Sequence, residues 1–143
     1  MESPNIVIDT NVIVAGLRSK RGSSYRLLQQ VGRGHFDINL SVPLVLEYEE
    51  VLHNMLPFLA LTSQDIENFI DYLCSVAHQH QIFYLWRPTL RDPSDEMLLE
   101  LAVKAQCKWI VTFNTRDFHG SEDFGVTAVT PAEFLDFLEE DNQ

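Results

Sequence analysis

The 143-residue sequence predicts an α/β fold: three layers, with helices on both faces of a central, mostly parallel five-stranded sheet. Three features predict it. Short apolar, β-branched runs alternate with longer stretches whose apolar residues recur every three or four positions. The first run does not alternate apolar with polar, which marks a strand covered on both faces. It also runs straight into a carboxylate, Asp9, and functional groups of open α/β sheets gather at strand carboxyl ends.

The elements follow in order. Residues 5–9 read as a buried strand, and Thr10 or Asn11 is positioned to cap a short helix ending near Gly16–Arg18. Ser19 to Gly22 is a loop. Ser23 or Ser24 opens a helix to about Val31, which Gly32 and Gly34 stop. Phe36 to Leu40 is a second strand. Ser41 followed by Pro43 suits a capped helix start, and Leu44, Tyr48, Val51 and Met55 carry that helix to about Leu56, before Pro57. Ser63 begins another helix, with Ile66, Phe69, Ile70, Leu73 and Cys74 on one face, fading near His80. Ile82 to Trp86 is the expected third strand, and Pro88 to Ser94 a loop. Asp95 starts a helix through Ala105, directing Leu98, Leu101, Ala102 and Ala105 inward. Trp109 to Phe113 and Gly125 to Val129 are the last strands. Thr130-Pro131-Ala132-Glu133 opens a final helix carrying Phe134, Leu135 and Leu138.

This length suits one domain, residues 1–143, with its own core. No apolar run nears the roughly 20 residues of a membrane span, and no basic-then-apolar leader opens the chain. The expected location is therefore cytoplasmic, where Cys74 and Cys107 read as free thiols in apolar helical patterns. The net charge of −11 argues against a polyanionic partner until its distribution is considered. Between Asp9 and Asp37 there is no acid, yet that window holds Arg18, Lys20, Arg21, Arg26 and Arg33, half of the ten Lys and Arg. Such a window is either a local basic footprint or a solvated face.

Four acids fall where the fold gathers function. Asp9 ends strand one, and Glu47 flanks the apolar row of the helix after strand two. Asp95 opens a helix, three residues ahead of Leu98 and on its inward stripe. Asp117 follows strand four together with Asn114. Clustered carboxylates repel and raise one another's pKa, and a hard divalent cation such as Mg²⁺ or Mn²⁺ removes the conflict. Taken singly, Asp95 is also explained as a helix N-terminal charge, Glu47 as a solvated helix residue and Asp117 as a turn former. Asp9 has no comparable structural excuse.

Four ordered segments carry a family resemblance: Val7-Ile8-Asp9-Thr10-Asn11-Val12, residues 41–52 from Ser41-Val42-Pro43 onward, residues 92–102 beginning Asp92-Pro93-Ser94-Asp95, and Trp109-Ile110-Val111-Thr112-Phe113-Asn114. With them the chain resembles the PIN domain family of nucleases. The ending Val129 to Leu135 is similar to a branch of that family described as toxins of bacterial toxin–antitoxin pairs. The resemblance implies a PIN-like, Rossmann-like topology and an Mg²⁺- or Mn²⁺-dependent endoribonuclease. Asp9, Glu47 and Asp95 fall on the family's three core acids. Asn114 falls where a fourth acid is common, so Asn114 is implied as a metal neighbour and Asp117 as the compensating charge. Thr10, Asn11, Ser41 and Thr112 would orient carboxylates or waters, and Arg18, Lys20, Arg21 and Arg26 would contact RNA phosphates. The implied partners are RNA, a small antitoxin and a second copy in a homodimer, with no membrane.

Two other readings compete. A phosphatase-like enzyme with a strand-end aspartyl nucleophile wants a second acid two residues on, where Asn11 stands. A non-catalytic, degenerate PIN-like interaction module is favoured by Asn114 alone.

Overall fold

In the computed structural model, residues 3–81, 90 and 92–141 are described. Five strands, β1 (Asn5–Ile8), β2 (Asp37–Ser41), β3 (His78–His80), β4 (Trp109–Val111) and β5 (Thr127–Val129), form one sheet in the order β3-β2-β1-β4-β5. Every neighbouring pair is parallel, with Ile6 opposite Ile38, Ile8 opposite Val111 and Val111 opposite Val129. The helices are α1 (Thr10–Arg18), α2 (Ser23–Gln29), α3 (Val42–Asn54), α4 (Ser63–Val76), α5 (Pro93–Lys104) and α6 (Pro131–Asp141). The chain builds outward from β1 through β2 to β3, then crosses back to place β4 on the other side of β1. The strand order therefore reverses between β1 and β4, which is where open α/β sheets leave a crevice at their carboxyl edge.

Local chemistry explains most boundaries. Ser41 caps α3 by accepting from the Leu44 N–H at 3.4 Å, with Pro43 in the first turn. Thr62 and Asp65 form a reciprocal capping box at α4, and Thr130 and Glu133 another at α6. Gly32 has φ +83°, and a Cβ there would collide with the Tyr72 hydroxyl, which donates to the Val31 carbonyl at 2.7 Å. That position is closed to a side chain by backbone conformation and by space.

Three expectations are corrected. Asp9, not Thr10 or Asn11, holds the position preceding α1, with extended backbone and no capping side-chain hydrogen bond. The strand expected at Ile82–Trp86 lies outside the described residues, and the helix expected to fade near His80 ends at Val76 and is followed by the strand His78–His80. Its sequence, His-Gln-His, has no apolar run, and it is held instead by pairing to β2 and by His80 Nε2 lying 2.9 Å from Asn39 Oδ1. β4 stops at Val111, so Thr112 and Phe113 lie beyond the strand.

The core is continuous on both faces of the sheet. Ile6, Val7 and Ile8 are buried beneath Leu44, Tyr48 and Leu52 of α3, Leu98, Leu99, Leu101 and Ala102 of α5, and Phe134, Leu135 and Leu138 of α6. At the amino end of the sheet, Phe134 meets Phe36 edge-on at 5.5 Å and Trp109 at 6.5 Å, and Phe137 lies 4.9 Å from Trp109. Both cysteines are free, Cys107 buried and Cys74 half-buried, and burial pushes the Cys107 thiol up to about 12.

Candidate active site

The carboxyl edge between β1 and β4 collects buried polar side chains: Asp9, Thr10, Ser41 and Thr112. Register puts Asp9 and Thr112 there together. Ile8 faces Val111, and the Asp9 N–H extends the ladder to the Val111 carbonyl at 2.9 Å. Thr112 Oγ1 then donates to Asp9 Oδ2 at 2.7 Å, joining residues 103 positions apart. The same hydroxyl oxygen accepts from the Asn114 N–H at 3.0 Å. Asn11 Oδ1 accepts from the Phe113 N–H at 3.4 Å, tying the start of α1 to the segment after β4.

Glu47 arrives from α3. Tyr48, its neighbour, is fully buried and donates its hydroxyl to the Ile8 carbonyl, which fixes α3 against the end of β1. Glu47 Oε2 in turn accepts from Thr10 Oγ1 at the first residue of α1. The Tyr48 phenol is held well above its usual range, first by burial and then by the charges of Asp9 and Glu47.

Asp9 is 9% exposed. Burial raises its carboxyl above the ordinary range against the hydrogen bond from Thr112, and the Glu47 charge raises it further. Asp95 comes from the first turn of α5, whose start is set by Asp92, the cap that accepts from the Ser94 N–H at 2.8 Å. Asp95 is pushed up to about 6, first by desolvation and then by Asp92, Asp9, Asp117 and Glu47 in that order. Four carboxylates, three of them from other segments, thus act on Asp95. Asp117 belongs to a short 3-10 turn, Thr115–Phe118, that starts directly after Asn114. Among the described residues, however, no group of three or more His, Cys, Asp or Glu side chains stands close enough to share one cation. Asp9 and Glu47 are instead bonded to separate partners, Thr112 and Thr10.

The donor set is all oxygen, with no thiolate and no imidazole. That chemistry suits a hard cation such as Mg²⁺ or Mn²⁺ and not a soft one. A bound dication would also remove the repulsion that raises Asp9 and Asp95.

The basic window divides. Arg18 and Arg21 line a groove beside the carboxylates, and Lys20 is exposed in the loop between them. Arg26 instead pairs with Glu139 of α6 at 3.6 Å, both side chains being mostly exposed. Sequence reasoning placed Tyr48 only in the apolar row of its helix and Asp92 only in the segment leading to Asp95. The charge of Asp92 acts on Asp95 and its cap sets where Asp95 stands. Two acids three residues apart around a Pro-Ser helix start were the signal available for it.

A model of the PIN domain matches residues 5–116 of the chain. Among solved structures, the chain is similar to the crystal structure of VapBC2 from Rickettsia felis bound to a DNA fragment from their promoter, with a TM-score of 0.59. The identity is 12%, and the match covers 88% of this chain and 98% of that one, a likeness of fold. No curated protein sequence matches.

Proposed function

The chain belongs to the PIN domain family, and from that premise we propose that it is an Mg²⁺- or Mn²⁺-dependent endoribonuclease, the toxin of a toxin–antitoxin pair. What supports this reading is the position of Asp9 at the strand-order reversal, with its carboxyl raised by burial and by Glu47, and that of Asp95 raised by burial and by Asp9, Asp117 and Glu47 among others. Asp9 and Asp95 would hold the cation directly, with Glu47 and Asn114 at its margin. When bound, the cation supplies Lewis acidity and charge for phosphoryl transfer. The residues do the rest. Thr112 and Thr10 orient Asp9 and Glu47. Glu47, on its free carboxylate oxygen, takes the proton of the attacking water. The new P–O bond forms opposite the departing 3′ oxygen, leaving a 5′-phosphate. Asp117 supplies the charge that Asn114 lacks.

RNA is held through phosphate contacts by Arg18, Lys20 and Arg21, with Arg26 joining when its surface pair with Glu139 opens. A small antitoxin is the proposed protein partner. This rests on the fold shared with a toxin–antitoxin complex. A homodimer and a cytoplasmic location complete the proposal, in keeping with the lack, among the described residues, of any helix long and apolar enough to cross a membrane.

The competing reading is a PIN-like module without catalysis. It is favoured by Asn114 and by the absence, among the described residues, of three potential ligands already within reach of one cation. Incubating the protein with a mixed-sequence single-stranded RNA, with Mn²⁺ or with EDTA, separates the two. Cleavage that requires metal and disappears in Asp9→Asn, with the fold retained, is expected. Undiminished cleavage by Asp9→Asn overturns the site, and no cleavage by the wild type at any metal concentration favours the module.

A further inference from the structure

A groove of about 550 Å³ opens beside the carboxylate edge, lined among others by Ala15, Arg18, Arg21, Ser24, Phe113 and Pro131. Its size is that of a small-ligand site. Its lining includes two arginines and no acid, on a chain of net charge −11. Phe113 is 48% exposed, so a face of its ring is open to the groove. It follows Thr112, which is bonded to Asp9, and its own N–H is bonded to Asn11. The backbone carrying the ring is therefore fixed relative to the carboxylates.

We propose that this groove is a nucleotide subsite in which Phe113 stacks on one unpaired base of single-stranded RNA while Arg18 and Arg21 hold the adjoining phosphates. The subsite rests on the ribonuclease reading for its substrate class, and it names a residue that reading does not use. A ring face beside two guanidiniums matches a ligand that is aromatic and anionic at once. A second groove makes the contrast. It is lined by Val42, Val45, Leu46, Cys74 and His80 and contains no Lys or Arg. Stacking also demands a base outside a duplex, so the subsite favours single strands.

The test is anisotropy of a fluorescein-labelled ten-nucleotide single-stranded RNA, titrated with the full chain in EDTA to suppress cleavage. Phe113→Leu keeps an apolar side chain and removes the stacking face. It should weaken binding about tenfold with an unchanged thermal midpoint, and Phe113→Trp should restore it. Replacing one base by an abasic unit should cost the wild type a similar factor at the stacked position and cost Phe113→Leu nothing further. Arg18→Gln and Arg21→Gln should each lower the salt slope of binding by about 0.7. A duplex of the same sequence should bind more weakly and ignore Phe113→Leu. Equal single-strand affinity of Phe113→Leu and wild type overturns the subsite, as does failure of the wild type to bind, and the groove would then suit a protein segment. If Phe113→Leu is indifferent while Asp9→Asn abolishes cleavage, the subsite fails and the nuclease reading stands. Phe113-dependent binding without metal-dependent cleavage supports the subsite and removes the nuclease.

Discussion

The two ends of the sheet are built on opposite principles. At the amino end, Phe36, Trp109, Phe134 and Phe137 close over the starts of β2 and β4 with ring-to-ring contacts between 4.9 and 6.5 Å. At the carboxyl end β2 finishes in Ser41 and β4 runs on into Thr112, with Asp9 between them, all buried and all polar. One end gains stability from apolar area; the other gives some of it up by burying carboxylates that repel. Such a division, with stability at one pole and costly chemistry at the other, is what an α/β sheet with a crevice at its strand-order reversal leads one to expect.

The sharpest way to break the comparison is Phe134→Ala. Phe134 is 1% exposed at the centre of the aromatic end, so its loss should cost about 3–5 kcal/mol of stability, read from denaturant unfolding. At the other end, Tyr48→Phe should cost about 1–2 kcal/mol, because the Ile8 carbonyl loses its buried donor while the ring stays. It should also disturb the site, since Tyr48 fixes the helix that carries Glu47. Near-equal losses from the two variants would erase the distinction between the ends.

Titration sharpens it. Asp95 is pushed up to about 6, above its ordinary value. The folded chain therefore holds that proton more tightly than the unfolded chain does. The stability it contributes is complete below the unfolded pKa and is lost as pH rises through about 6. Metal-free protein should melt at progressively lower temperature across that interval, and Asp95→Asn should flatten the slope. Phe134→Ala should lower the whole curve and keep the slope. A stability that rises over the same interval in wild type and Asp95→Asn alike would contradict the placement of Asp95. The smallest effect expected is at Gln106, which follows the end of α5 with φ +58°; Gln106→Gly should stabilise by about 0.5–1 kcal/mol in the same unfolding assay.

Much of this architecture was legible because local chemistry and burial coincide. The run Ile6 to Ile8 could only be a covered strand, and Ser41 with Pro43 could only start a helix well. The amphipathic stripes of α5 and α6 led to Leu98, Leu101, Ala102, Phe134, Leu135 and Leu138, all of which are buried. What stayed hidden depends on contacts between distant segments. Nothing in His-Gln-His announces a strand, because its place is decided by β2 beside it. Thr112 and Asp9 meet through the register of β1 and β4, which no spacing records. Phe113 reads as the end of an apolar strand and is instead the first large side chain beyond it, turned to solvent because β4 stops two residues earlier. The acids could be named from the sequence; which threonine holds which acid could not.

The contrast between the two ends turns on whether the carboxyl edge gains from a cation what it gives up in burial. Thermal unfolding at pH 7 across a Mn²⁺ series into the millimolar range measures this directly. The wild type should gain stability by mass action as metal rises, Phe134→Ala should gain the same increment from a lower baseline, and Asp9→Asn should not respond. A wild-type midpoint that stays constant across the series, or an Asp9→Asn midpoint that rises with it, would contradict a cation site at the end of β1.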